Sequence, residues 1–137
     1  MNNISNSLNV KMDFNGIDIE VNFNPGTHIL EGHSGTGKSL LLEAINLFCL
    51  NVDKSCVYLN FNNRHNTETV ILTLCKGSEV VLLDNADLYL TDEILRELKA
   101  ENRFIIISVK DTAELDISED NFYEVQYQNQ KLRLIKN

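Results

Sequence analysis

Basic residues are scarce in this chain of 137 residues, and their scarcity limits the partners that it can bind. Twelve lysines and arginines stand against 20 aspartates and glutamates, so the formal net charge is −8. The lysines and arginines form no cluster. Direct binding of nucleic acid or of an anionic membrane surface requires a basic face. We therefore expect no direct nucleic-acid partner and no membrane contact.

Cysteine pairs and long apolar runs are also missing. Cys49, Cys56 and Cys75 form no C-x-x-C pair and have no histidine at metal-binding spacing. They resemble small core residues of a reduced, cytoplasmic protein. No apolar run reaches the length of a membrane span, and the polar stretch 1–7 is unlike a signal peptide. At 43% hydrophobic residues, the chain has enough apolar surface for one domain over 1–137.

One glycine-rich segment carries the clearest chemistry. The sequence GHSGTGKS from Gly32 to Ser39 fits G-x-x-x-x-G-K-[ST], the phosphate-binding loop called Walker A. Its glycines let backbone N–H groups surround a phosphate, Lys38 adds a charge on the β and γ oxygens, and Ser39 offers a hydroxyl to Mg²⁺. We therefore expect ATP and Mg²⁺ as cofactors. The residues expected to hold the nucleotide are Gly32, His33, Ser34, Gly35, Thr36, Gly37, Lys38, Ser39 and Leu40.

The flanking segments predict the setting that this loop requires. Thr27–Leu30 reads as a short apolar strand before the loop, and the leucine-rich segment 38–50 reads as a buried helix after it. Further elements follow from periodicity and turn residues. We predict an antiparallel pair at 8–14 and 17–23, a strand at 55–61 covered on both faces, a helix over 67–76, a helix from Thr91 to about 101, one helical turn within 111–120, and a hairpin of 122–127 with 131–135.

A second motif completes a magnesium site. Four apolar residues, Val80 to Leu83, precede Asp84, which is the Walker B pattern of a strand that ends in a carboxylate. Because ligands collect at the carboxyl ends of parallel strands, Asp84 is expected to hold Mg²⁺ together with Ser39. Ser108 ends the apolar run 104–108, where it is either a polar sensor of the γ-phosphate or a plain strand end.

Together these motifs resemble a P-loop NTPase of the class with an additional strand between the Walker A and Walker B strands. The resemblance implies an α/β three-layer sandwich whose mostly parallel five-stranded core has the order 5-1-4-3-2, with antiparallel additions near both termini. The core strands would lie near 26–31, 55–61, 79–83, 103–108 and 121–127. More narrowly, residues 8–50 resemble the start of an ABC-type ATPase head.

The chain departs from ABC-type heads where they hydrolyse ATP. Asn85 stands in the place of the catalytic glutamate, no glutamine precedes Gln126, and no LSGGQ-like signature is present. Asn85 either orients a water or caps the next turn. Asp87 is either a substitute base or the cap of 88–90, so the candidate catalytic residues are Lys38, Asn85 and Asp87. Arg64, Arg96 and Arg103 are either arginine fingers acting on another subunit or ordinary surface charges.

Three functions remain compatible with these residues. The first is an ATP-binding protein that acts as a slow or partner-activated ATPase or nucleotide switch, with a protein partner or self-association. The second is a small phosphotransferase, which would usually need a lid that bears arginines. The third is a degenerate nucleotide-binding module of an assembly, which Asn85 favours and the set Lys38, Ser39 and Asp84 opposes.

Overall fold

The structure, a computed structural model, describes residues 7–32, 37–61, 67–110 and 121–136. The predicted antiparallel pair, the helix after the phosphate loop, the helix at 67–76 and the final hairpin are confirmed to within two residues, whereas the predicted turn within 111–120 lies outside the described residues. The elements in chain order are β1 (Leu8–Phe14), β2 (Ile17–Phe23), β3 (Gly26–Glu31), α1 (Lys38–Asn51), β4 (Cys56–Asn60), α2 (Thr67–Cys75), β5 (Val80–Asp84), a 3₁₀ turn (Ala86–Leu88), α3 (Asp92–Lys99), β6 (Phe104–Val109), β7 (Asn121–Gln128) and β8 (Lys131–Lys136).

All the strands join one mixed sheet with the order β1-β2-β8-β7-β3-β6-β5-β4. The run β7-β3-β6-β5-β4 is parallel throughout. β1 with β2 and β7 with β8 are antiparallel hairpins, and the parallel pairing of β2 with β8 links them. The expected α/β class with a partly parallel sheet is therefore confirmed. As predicted, β6 separates β3 from β5, so its carboxyl end lies between the start of the phosphate loop and Asp84.

The parallel strands bury both of their faces. Along β5, Val80 and Leu82 belong to one apolar core and Val81 and Leu83 to another, because successive side chains point to opposite faces. The first core contains the buried side of α1, and the second contains those of α2 and α3. Burial of each leucine or isoleucine stabilises the fold by about 1.5–3 kcal/mol. The central strands thus lie between helices on both faces.

The sheet curls around α1. This helix contacts β4 and also β1, although these two strands lie at opposite ends of the strand order. Leu8 and Val10 of β1 and Ile19 of β2 are buried in the same core as Leu41 of α1. The hairpin of β1 and β2 therefore covers the face of α1 that the parallel strands do not reach.

The strand predicted at 55–61 is covered on both faces, as its nearly unbroken apolar run indicated. Cys56 and Tyr58 pack against the first core, and Val57 and Leu59 pack in the second. β4 is also the last strand of the sheet and pairs only with β5, so that Cys56, Val57 and Tyr58 are only half-buried. Among the described helices, none has the length and apolar character needed to cross a bilayer.

Candidate nucleotide-binding site

A cavity of about 350 Å³ opens at the carboxyl ends of β5 and β6 and at the start of α1. It brings together the end of the predicted phosphate-binding segment, Gly37 to Leu40, with Asn85 and Ser108, whereas Gly32 and Asp84 are not among the residues that line it. His33 to Thr36, which were predicted to bind phosphate, lie outside the described residues. The residues that line the cavity are Gly37, Lys38, Ser39, Leu40, Asn85, Ser108, Lys110 and Tyr127. Sequence reasoning assigned no role to Lys110 or Tyr127.

Gly37 is required both by its backbone and by its neighbours. Its φ of 100° lies in the left-handed region, and it occupies the N-cap position of α1 without a side-chain cap. A Cβ at this position would lie 3.4 Å from side-chain atoms of Val125 and Leu132. The hairpin of β7 and β8 therefore packs directly against the start of α1. The first N–H groups of a helix that has no side-chain cap can bind an anion.

Lys38 is a buried cation at this helix start. Its exposed fraction is only 7%, and its amine donates a hydrogen bond to the carbonyl oxygen of Gly32. Burial lowers the pKa of Lys38 below its ordinary value; the charge of Lys110 acts in the same direction, whereas Asp87 and Asp84 oppose it. A bound polyanion would favour the charged form of this amine. The environment of Lys38 is therefore one in which a bound anion would stabilise the charged amine.

Asp84 presents one oxygen for which the described residues supply no partner. Its Oδ2 accepts a hydrogen bond of 2.7 Å from the Tyr58 hydroxyl, whereas its buried Oδ1 has no hydrogen-bond partner in the described part of the chain. Burial, and then the bond to Asp84, raises the pKa of Tyr58 well above its ordinary value, so this hydroxyl remains a donor. The Tyr89 hydroxyl donates to the main-chain oxygen of Asp84 at 2.6 Å. The carboxylate is therefore held in place with one acceptor open.

This donor set fits Mg²⁺ and not a metal held by protein ligands alone. Within residues 7–32, 37–61, 67–110 and 121–136, no group of three or more His, Cys, Asp or Glu side chains could hold a metal ion. Mg²⁺ usually takes only one or two protein ligands, and completes its shell with water and substrate phosphates. The open Oδ1 of Asp84 and the exposed hydroxyl of Ser39 match that requirement.

Asn85 and Asp87 take positions that sequence reasoning described only in part. Asn85 is at the N-cap of the 3₁₀ turn with φ 52° and ψ 43°, but its side chain makes no cap bond and its Nδ2 instead donates to Asn60 Oδ1 at 3.4 Å. Asp87 was expected to be a base or to cap 88–90, and the capping alternative is wrong because Asp87 lies inside the turn. Its Oδ2 accepts from the backbone N–H of Lys110 at 3.3 Å, which fixes Lys110 beside the cavity.

Arg103 is not a surface charge, and it is not an arginine finger. It is only 4% exposed, its Nη1 donates to the Cys75 carbonyl oxygen at 2.9 Å, and its Nη2 pairs with Glu101. Arg103 directly precedes β6, so it lies at the amino ends of the parallel strands, whereas the cavity opens at their carboxyl ends. Arg96 lies on the exposed side of α3, and Arg64 lies outside the described residues.

Comparison with known proteins finds distant relatives only. No protein-family model matches the chain. The chain is 28% identical over 134 residues, 95% of its length, to the DNA repair protein RecN of Rickettsia typhi, and 27% identical over 123 residues, 87% of its length, to that of Rickettsia felis. The matched segments make up 24% and 22% of these proteins. The chain thus spans less than a quarter of the length of the curated relatives that it matches.

Proposed function

We propose that this chain is a P-loop domain that binds ATP with Mg²⁺ and acts as a slow or partner-activated ATPase or nucleotide switch. The observation that carries the proposal is the cavity itself. It unites the end of the Walker A motif with the carboxyl ends of β5 and β6, beside an aspartate with one open oxygen.

Two further observations support this proposal. Numbered among themselves in chain order, the five parallel strands β3 to β7 have the order 5-1-4-3-2, which is the order expected of the additional-strand class of P-loop NTPases. The distant similarity to RecN over nearly the whole chain agrees with an ATP-binding or ATPase-like role. Both relatives are named DNA repair proteins, so DNA repair is the process in which we would look first for a partner. The net charge of −8 argues that such a partner is a protein and not DNA.

Several residues in and beside the cavity have a role in this proposal. The ammonium groups of Lys38 and Lys110 offset phosphate charge, and the N–H groups at the start of α1 donate hydrogen bonds to phosphate oxygens. Ser39 and Asp84 would hold Mg²⁺, which neutralises charge on the phosphate oxygens when it is bound. Asn85 orients a water molecule but cannot take its proton. Asp87 is the candidate for a substitute base, but its Oδ2 already accepts a hydrogen bond from the backbone N–H of Lys110.

The alternatives are less well supported by the same residues. A phosphotransferase of this type usually needs arginines on a lid, but Arg103 is buried away from the cavity and forms internal hydrogen bonds. A degenerate module would have no use for a buried lysine at the helix start or for an aspartate with an unpartnered buried oxygen. Asn85 remains the feature that favours this alternative.

Replacement of Lys38 tests the proposal. We expect Lys38→Ala to weaken ATP binding at least tenfold, because it removes the charged side chain at the start of α1. Isothermal titration with ATP, with and without Mg²⁺, gives the dissociation constants. Lys54→Ala is the matched control, since Lys54 follows α1 at its other end and pairs with Glu79 at 3.7 Å. Equal ATP affinity in the wild type and Lys38→Ala would show that the loop is not the site.

A further inference from the structure

The hairpin of β7 and β8 continues the site beyond the phosphate loop. β7 pairs with β3 from Asn121 to Glu124, and Glu124 lies opposite Glu31, the last residue of β3. Residues 125–128 of β7 therefore extend past the end of β3, on the side where the phosphate loop begins. No residue of β3 remains to pair with this extension.

Alternation along β7 determines which side chains of the extension reach the cavity. Val125 is buried in the core that contains α1. Tyr127, two residues later, points to the same face and lines the cavity together with Gly37 to Leu40. Its Cβ would lie 3.8 Å from a Cβ added to Gly37, and 47% of the residue is exposed. Tyr127 is thus an aromatic residue that lies close to Gly37 at the mouth of the cavity and is about half exposed to solvent.

The remaining lining residues have chemistry suited to phosphate and not to a base. Lys38 and Lys110 are cations, Ser39 and Ser108 are hydroxyls, and Asn85 lies at the end of the metal-bearing strand. A flat aromatic ring at the mouth offers what these residues lack, namely a surface on which a heterocycle can stack.

We propose that Tyr127 holds the base of the nucleotide by stacking on it. This inference rests on the proposed function, and it extends that function from the phosphates to the base. Every nucleobase has a π-face, and stacking alone discriminates poorly between bases. The described lining contains no side chain placed away from the phosphate end that would read the edge of a base, so Tyr127 gives ATP and GTP affinities within a few-fold of each other.

The test compares ATP, GTP and tripolyphosphate, which lacks a base, in titrations of the wild type, Tyr127→Ala, Tyr127→Phe and the neighbouring control Gln128→Ala. We expect Tyr127→Ala to weaken ATP and GTP binding about tenfold and to leave tripolyphosphate binding unchanged. The Tyr127→Phe and Gln128→Ala variants should match the wild type for all three ligands. An unchanged ratio of ATP to tripolyphosphate affinity in Tyr127→Ala would overturn the inference.

A spectroscopic measurement keeps the inference testable if Tyr127→Ala destabilises the hairpin. The H2 and H8 protons of bound adenine should shift upfield in the presence of the wild type, because they would lie over an aromatic ring, and a ligand with unshifted protons would contradict stacking. The two proposals fail differently. A wild type that binds tripolyphosphate through Lys38 but shows no effect of Tyr127 overturns the stacking alone, whereas a wild type that binds neither ATP nor tripolyphosphate overturns both.

Discussion

At the scale of single residues, the bond between Tyr58 and Asp84 decides how the carboxylate is aimed. Asp84→Ala should abolish the dependence of ATP binding on Mg²⁺ and keep part of the nucleotide affinity. Tyr58→Phe should weaken the affinity for Mg²⁺ in the presence of ATP by about tenfold, because removal of a group that orients a metal ligand typically lowers metal affinity by at least that factor. Titration of Mg²⁺ at fixed ATP measures both effects.

The control for Tyr58→Phe is Tyr123→Phe. The Tyr123 hydroxyl lies 3.0 Å from Nδ1 of His28, so this variant also loses a partly buried hydrogen bond, but on β7 and away from Asp84. Each variant should lose about 1 kcal/mol of stability. Equal Mg²⁺ dependence in the two variants would show that Tyr58 only stabilises the fold.

A substitution of Asn85 should change both the stability of the fold and the rate of hydrolysis. Asparagine tolerates the left-handed region better than glutamate does, so Asn85→Glu should cost about 1 kcal/mol in the free energy of unfolding. The same variant should raise single-turnover hydrolysis by up to about 10²-fold if the site is otherwise assembled, because a carboxylate can take a proton from water. Asn85→Gln carries a similar backbone cost without the carboxylate. A rate increase of the same size in both variants would contradict the chemical explanation.

At the scale of elements, the clearest local signal is the start of α3. The Thr91 side chain accepts a hydrogen bond of 3.2 Å from the backbone N–H of Ile94, as its position before Asp92 and Glu93 predicted. Thr91→Ala should lower the free energy of unfolding by about 1 kcal/mol. Thr73→Ala, on the exposed side of α2, should cause no loss because alanine favours helix. Chemical denaturation of the two variants checks the difference.

Local signals of this kind explain why much of the fold was predictable. The dipeptide Asn15-Gly16 is typical of a hairpin turn and predicted the first hairpin. A helix over 67–76 was preferred to a strand because two parallel strands need a crossover between them and because Gly77 can end a helix. The Walker A and Walker B patterns predicted that Lys38 and Asp84 lie near one site, and Lys38 lines the cavity together with Asn85, the residue that follows Asp84. Each of these predictions depends on residues that are close in sequence or on a motif whose residue spacing implies a particular local structure.

The parts that could not be predicted depend on which strand lies beside which. The parallel pairing of β2 with β8 leaves no mark in the sequence of either strand, and the edge position of β4 followed only from the resemblance to a fold with the order 5-1-4-3-2. Tyr127 and Lys110 reach the cavity because of the β7–β3 register and the bond from Asp87. In the sequence they look like ordinary exposed residues near a turn.

At the scale of the whole molecule, the proposed function predicts binding with little turnover. In that proposal Lys38, Ser39 and Asp84 would stabilise phosphate and metal, but no carboxylate occupies position 85 to activate water. We expect the isolated chain to bind ATP and to hydrolyse it on the order of once per minute or more slowly, because general-base help is typically worth 10²–10⁴-fold. Phosphate release at saturating ATP measures the rate. Turnover of several ATP per second would refute this expectation, and loss of that activity in Asp87→Asn would identify Asp87 as the base.

The contact of the last hairpin with Gly37 also sets an order of events during folding. The wall that Val125 and Leu132 build against the start of α1 comes from the end of the described chain, and the strand that joins the first hairpin to the sheet is β8. Contacts between distant parts of a chain form late, because closing a long loop costs conformational entropy before the contacts can stabilise the fold. During synthesis the Walker A segment leaves the ribosome long before β7 and β8. We therefore expect the nascent chain to carry the glycine-rich segment for a period before Tyr127 of β7, which lines the cavity, has been synthesised.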